Sequence, residues 1–496
     1  MSGKLKLDKR GITSMGKTQM IMSTLALALT GCATMNAEPD IFRMSEVCQT
    51  PGVAGTASVV RVYGGKKGDG LTAGQSLAPD EAGGFVIGGV TQGLGAYAGN
   101  TDLLLTKIGS SGQIRWVRTF GGPQMDIGAA FIRTADGGHL QAGDSYGHLH
   151  TGMAYVVAGS DQRRLLLVKT DAGGKFQWHK LYSAKVAGDF RISNLRSVLQ
   201  TTDGGFVISG STAMNPTGPT GPKRVLYSDV MLAKTDGSGV FEWARSYGAG
   251  GPDEAFSLVN TADGGYLLAG GYTVTPGTRR ADVLLLKVDA GGSLEWTKTF
   301  GGSGFNVAQS VVQTTDGGYA VAARSDGFGA GDTDILLIKT DDKGEHRWAR
   351  TFGGVKREEP TMLLETSDGG LLITGHATSF GDPKTDAVIL KTDASGNLEW
   401  AKTFGGPGLD VAYSVAEAAQ ETFTVAGTTE SYGAGKEDIF LLHLSSNSQP
   451  GTCLRDIAPT QTTPNLEIAV PTLNVADLEL EYQRDSLRKQ QSALFE

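Results

Sequence analysis

Seven polar residues in this 496-residue chain recur at one fixed place relative to a turn. Asp126, Ser193, Asp253, Asn306 and Glu358 each stand ten residues before a turn residue, namely the aspartate of an Asp-Gly-Gly turn in every one of these copies. Asp69 and Asp410 hold the matching places in the first and last copies. If the copies surround an axis, these side chains form a ring at one channel mouth, where they would attract a cation or a basic partner. A polar residue at a strand start also accepts main-chain N–H bonds in its own loop, and repetition in every copy favours that role. Two insertions break the symmetry. One, at 146–160, carries His148 and His150, whose spacing would hold a metal if an acidic group converged on them, though a solvated loop is the simpler reading. The other, at 215–227, is rich in Pro and Gly and carries Lys223 and Arg224. Loops on a rigid scaffold often bind, so these four residues are the binding-loop candidates. The stretch 328–334 has acidic spacing distantly like a calcium loop but lacks the other ligands, and reads as a turn. There is no Ser-His-Asp order, no HExxH and no phosphate-binding glycine motif. The expectation is therefore a non-enzyme with no catalytic residues, no metal and no cofactor, structural calcium being the one exception considered.

The elements that would position these residues are set by a repeat. All six tryptophans, Trp116, Trp178, Trp243, Trp296, Trp348 and Trp400, fall on one lattice, the last four about 52 residues apart. Each unit has a short apolar run, an Asp-Gly-Gly turn, a second run, a Gly-rich loop, a continuous apolar run of the type Asp-x-Leu-Leu-Leu-Lys, a second turn, and a run containing the tryptophan. Glycine tolerates the positive φ of such turns, and 72 glycines with no collagen period fit many short hairpins. Four short antiparallel strands per unit match a propeller blade.

Counting the runs predicts closure. The third run occurs seven times, but the tryptophan run only six. The seventh unit stops after its third run, while Val59-Val60-Arg61-Val62-Tyr63-Gly64 stands alone near the N-terminus with valine in the tryptophan place. The N-terminal strand is expected to complete the last blade, giving an all-β, seven-bladed β-propeller of four-stranded antiparallel blades over residues 57–445 with no open edges in the ring. Cys48 and Cys453 flank the repeat, and closure would bring them within reach of a disulfide outside the cytoplasm. Beyond the ring, 446–474 reads as a linker. Residues 475–496 read as a charged tail, possibly helical in view of leucines at 473, 480, 487 and 494.

Two resemblances sharpen the reading. A basic leader, ten apolar residues from Met20 to Leu29 and the sequence Leu29-Thr30-Gly31-Cys32 resemble a bacterial lipoprotein signal, which implies cleavage of 1–31 and acylation of Cys32, with 32–56 as a tether. Ten residues are too few to span a bilayer as a helix, which needs about 20. The segment Lys391-Thr392-Asp393-Ala394-Ser395-Gly396-Asn397-Leu398-Glu399-Trp400 is similar to the tryptophan-docking motif of quinoprotein propellers, and the whole unit resembles the repeat of secreted bacterial β-propeller proteins. That likeness implies that the tryptophans dock blade on blade. A net charge of -8 without a basic cluster argues against nucleic acid. The resulting expectation is a cell-envelope lipoprotein, on the outer membrane and facing periplasm or surface, that binds or scaffolds a protein or envelope polymer. A propeller enzyme acting on polysaccharide or using a quinone cofactor is the first alternative, and a structural surface or adhesion component the second.

Overall fold

In the computed structural model, the described residues are 43–483 except 50–58, 72–74, 82, 95–99, 123, 147–163, 185–190, 215–226, 250, 275–279, 420, 446–447, 449–452, 470, 472–473 and 479. Cys32, His148, His150, Lys223 and Arg224 lie outside them.

The repeat folds into seven small antiparallel sheets, and no helix occurs among the described residues. Blade 5 shows the pattern. From the axis outwards it contains Asn306–Gln313, Tyr319–Ser325, Asp334–Thr340 and His346–Gly353. The third strand, ILLIK-like throughout, is buried at every position because neighbouring blades cover both of its faces. The fourth strand is less covered: Arg347 is exposed and His346, Trp348 and Arg350 are half-buried, whereas Ala349 and Thr351 to Gly353 are buried. The innermost strands are Asp69–Leu71 with Leu77–Pro79 in blade 1, Asp126–Arg133, Arg191–Gln200, Glu254–Asn260, Glu358–Glu365 in blade 6, and Asp410–Ala419 in blade 7. Each touches the innermost strand of the next blade, and blade 7 touches blade 1, so the circle closes.

Closure occurs as the counting predicts. Val59–Gly64 pairs antiparallel with Asp438–Ser445, with Val60 opposite Leu442 and Val62 opposite Phe440. Val60 and Val62 then pack with Phe404, Phe440 and Leu442 in one buried cluster that also holds Cys453.

The C-terminal segment corrects the sequence reading. It is neither a linker nor a helix over its described residues. It supplies a fifth, outermost strand to five successive blades in reverse order: Leu454–Asp456 on blade 6, Thr460–Thr462 on blade 5, Glu467–Ala469 on blade 4, Asn474–Leu478 on blade 3 and Leu480–Gln483 on blade 2. Blade 7 gains its fifth strand from Arg43–Gln49. The leucine spacing that suggested a helical stripe is close to the stride of this belt, which advances one blade every six or seven residues. Extended chain rises about 3.3 Å per residue, so one stride spans roughly 20 Å. The expected four-stranded blades are thus the inner part of sheets that mostly have five strands. Cys453 is disulfide-bonded at the start of the belt, and Cys48 stands opposite Val60 on the outermost strand of blade 7.

The tryptophans sit where blades meet. A Cβ added at Gly344 of blade 5 would lie 2.8 Å from the Trp296 ring of blade 4, and one at Gly396 of blade 6 would lie 2.5 Å from Trp348 of blade 5. Both glycines have positive φ, so the turn and the ring need the same residue type. At the closure the partner changes: Gly112 of blade 1 faces the Arg61 side chain, and the Tyr63 hydroxyl donates to the Gly112 carbonyl at 2.8 Å.

Candidate binding site

The two ends of each blade treat their acids differently. At the Asp-Gly-Gly end, the third-strand lysine runs back to the turn. Lys169, Lys234, Lys287, Lys339 and Lys391 reach Asp136, Asp203, Asp263, Asp316 and Asp368 at 2.7–2.9 Å. Burial opposes ionisation of Asp136, Asp263, Asp316 and Asp368, but the lysine, a threonine hydroxyl and a glycine N–H outweigh it, and each is held down at about 2. At Asp203 the bond from Lys234 is the leading cause of the same depression. Blade 1 has Lys107 on Asp80 at 3.0 Å. Blade 7 has neither partner: His443 stands in the lysine place, bonded to the Thr424 hydroxyl at 2.9 Å, and burial pushes it down to about 4. Sequence reasoning overlooked these pairs, although lysine and turn aspartate recur together and are lost together in the seventh copy.

At the opposite end lie the predicted ring residues. They are buried rather than open to the channel: Asp69, Asp126, Asp253, Asn306, Glu358 and Asp410 are at most 4% exposed. Ser193 stands opposite Ser211, two pairs into a blade 3 ladder that Arg191 opens. Asp126, Asp253, Glu358 and Asp410 accept N–H bonds from Gly122, Ala249, Gly354 and Gly406 in their inter-blade loops. Each also sits beside the aspartate that opens the third strand of the preceding blade. The Glu358 N–H donates to Thr333 at 2.7 Å and the Asp410 N–H to Thr385 at 2.8 Å, which draws Glu358 towards Asp334 and Asp410 towards Asp386. Asp102 with Asp126, Asp229 with Asp253, and Asp438 with Asp69 occupy the same positions at other junctions. Burial pushes Asp102 up to about 7, with Asp126 adding to it, and pushes Asp334 and Asp386 up to about 6.

The same mouth carries a cluster that breaks the repeat. Glu359, one residue into the innermost strand of blade 6, faces His376 across the ladder. Its carboxylate accepts from Arg324 of blade 5 at 3.5 Å, and Arg357 lies 3.4 Å away. Arg324 also stacks over Phe305 at 5.0 Å, and Arg196 of blade 3 stacks over Phe256 of blade 4 at 4.7 Å. Arg324 Nε, Arg196 Nε and His376 Nδ1 are buried and have no hydrogen-bond partner among the described residues. Buried donors without partners are rare in folded chains and mark places where a ligand group fits. Burial lowers the His376 pKa against the pull of Glu359, which keeps the ring neutral at pH 7. One carboxylate facing two guanidiniums leaves a net positive patch suited to an anionic group. These residues were not legible in the sequence, because they come from four blades and share no motif. At the other mouth, a cavity of about 610 Å³ between blades 1 to 4 is lined in part by Gln75, Arg133, Gln200 and Asn260.

Fold and site define a seven-bladed β-propeller with a polar, asymmetric channel mouth. No family model matches the chain. A stretch of 144 residues is 29% identical to the regulatory protein FlaEY of Caulobacter vibrioides, covering 24% of this chain and only 15% of that protein. Among solved structures, an ulvan lyase aligns with a TM-score of 0.46 at 9% identity, over 77% of this chain and 95% of that one. The PQQ-bound aldose sugar dehydrogenase of Streptomyces coelicolor aligns with a TM-score of 0.34 at 12% identity, over 79% and 99%. These neighbours are enzymes, and the likeness is one of fold.

Proposed function

We propose that this chain is an exported propeller, anchored through acylated Cys32, that binds an anionic segment of an envelope polymer or protein at the Arg324–Arg357–Glu359–His376 mouth. The carrying observation is the pair of buried nitrogens without a partner among the described residues, Arg324 Nε and His376 Nδ1, beside a surplus of guanidinium charge. A carboxylate, sulfate or phosphate group would accept from Arg324 Nε and from the Nδ1–H tautomer of His376, and Phe305 offers an apolar face next to it. The test is titration of the full chain with carboxylated, sulfated and neutral glycan oligomers. Arg357→Ala removes an exposed guanidinium and is expected to weaken binding of anionic oligomers about tenfold or more, leaving neutral ones unaffected. Equal affinity of wild type and variant for every oligomer would end the proposal. Anchoring is tested separately, since Cys32→Ala should release the chain from the membrane fraction.

A second reading is favoured by one observation. A neutral histidine beside a carboxylate and two arginines is also a general-base arrangement, so the same mouth would serve an enzyme acting on an acidic polysaccharide. Cleavage of the bound oligomer by wild type but not by His376→Ala would select this reading.

A further inference from the structure

We propose that the paired-carboxylate junctions between blades are calcium sites that lock the propeller ring. Consider blades 5 and 6. Asp334 Oδ2 accepts the Ala330 and Gly331 N–H groups at 3.1 Å each, while Oδ1 is buried and has no partner. Glu358 Oε2 accepts from Gly354, and Oε1 accepts from Ser379 at 3.2 Å. Between them lies Gly353, where a Cβ would fall 1.5 Å from Asp334 Oδ1 and 2.9 Å from Glu358 Oε2. The glycine leaves the space in which the two carboxylates converge. Blades 6 and 7 repeat this at Gly405, 2.2 Å from Asp386 Oδ1 and 2.9 Å from Asp410 Oδ2 by the same construction, and there Oδ1 of both aspartates is orphaned. Blades 1 and 2 repeat it at Gly121, with Asp102 and Asp126.

Two buried carboxylates in one pocket need a compensating positive charge. Among the described residues no ion pair reaches Asp102, Asp126, Asp334, Glu358, Asp386 or Asp410. The chain does supply cations elsewhere: every turn aspartate of blades 2 to 6 has its own lysine. A divalent ion would balance a carboxylate pair in full, whereas one shared proton leaves a buried charge. Oxygen-only donors at the edge of Gly-rich loops suit calcium, which fills its remaining positions with main-chain carbonyls and water. No cluster of three or more acidic, His or Cys side chains is present among the described residues, so those other ligands are needed. The exceptions are coherent. Between blades 2 and 3 the two positions are Arg164 and Ser193, so the acids vanish together. Between blades 4 and 5 they are Asp282 and Asn306, and the amide takes the place of one charge.

The experiment uses the metal-stripped full chain at pH 7.5. Adding 1 mM calcium is expected to raise Tm by about 5 °C or more, and dialysis followed by elemental analysis should find about three or more ions per chain, one for each of the pairs Asp102–Asp126, Asp334–Glu358 and Asp386–Asp410. Asp410→Asn should remove one ion and lower the calcium-dependent gain. Asn306→Asp completes a further pair and should add an ion, a gain that no folding defect would imitate. Retention of no calcium, with an unchanged Tm, would overturn the proposal. So would an Asp410→Asn chain stabilised equally with and without calcium, since a shared proton would then fill the gap.

Discussion

Blades 1 and 3 to 6 each hold two carboxylates about one strand length apart, one at the turn and one at the start of the third strand, and the chain treats them in opposite ways. At the Asp-Gly-Gly end, Asp316 receives Lys339, which is 10% exposed, and is held down at about 2. At the junction end of the same blade, burial pushes Asp334 up to about 6, with Glu358 beside it and no cation in contact. Residue type and repetition are shared, but surroundings are not: the Asp316 side chain is 63% exposed and has a lysine, whereas Asp334 is buried and has none in contact. The difference teaches that lysines balance the turn acids at one end of the ring, whereas at the other Asp334 and Asp386 lie beside Glu358 and Asp410 with no ion pair to them among the described residues.

The largest effect expected from this contrast is in the pH dependence of stability. The turn aspartates are depressed below their unfolded value, so their contribution is present above about pH 4 and is lost as pH falls towards 2. The junction aspartates Asp102, Asp253, Asp334 and Asp386 are raised, so theirs is present at acid pH and is lost as pH rises from about 4 through 6 to 7. Arg455 acts on Asp386 from the belt and softens that member of the set. Metal-free protein should therefore show a Tm maximum near pH 4 to 5, measured by calorimetry, and a plateau extending past pH 7 would break the comparison.

A matched pair of glycine substitutions probes the same two ends. Gly353→Ala puts a methyl 1.5 Å from Asp334 Oδ1 and should cost about 3 kcal/mol through overpacking. Gly317→Ala meets nothing within 4 Å, but its φ of 85° disfavours a side chain, so about 1 kcal/mol is expected. Urea unfolding of both variants gives the ratio, and equal losses would mean that the junction is slack. Between these in size, Lys391→Met keeps most of the buried stem but strands Asp368 and Glu399. Both acids are partly solvated, so roughly 1–2 kcal/mol is expected.

The sequence made the ring legible because closure is a counting problem: seven third strands, six tryptophan strands and one orphan near Val59. The blade contacts of Trp296 and Trp348 were legible for a similar reason, since a repeat exposes its own lattice. The belt was not. Its strands are three to five residues long, carry little apolar periodicity of their own, and take their conformation from edges far earlier in the chain, from Lys402 opposite Asp456 to Leu181 opposite Gln483. The mouth cluster was equally hidden, because Arg324, Arg357, Glu359 and His376 meet only through adjacent strands of different blades. The ring residues were found by spacing, yet spacing could not tell that Asp334 and Asp386 would stand beside Glu358 and Asp410.

The smallest expected effect separates the two partners of the lysine. Lys391 is 2% exposed and contacts both Asp368 and Glu399, at 2.9 Å each, with Glu399 42% exposed. A solvated partner of this kind is worth little, so Glu399→Gln should cost about 0.5 kcal/mol or less. The chain contains natural versions of the experiment. Blade 2 has Gln177 in that place, accepting from Lys169 at 3.1 Å, and blade 5 has Arg347, which turns away to Asp341. Lys339 there still holds Asp316 at 2.8 Å. If Glu399→Gln instead cost as much as Lys391→Met, the turn aspartate would not be the partner that matters, and the contrast between the two ends of the blade would rest on the wrong pair.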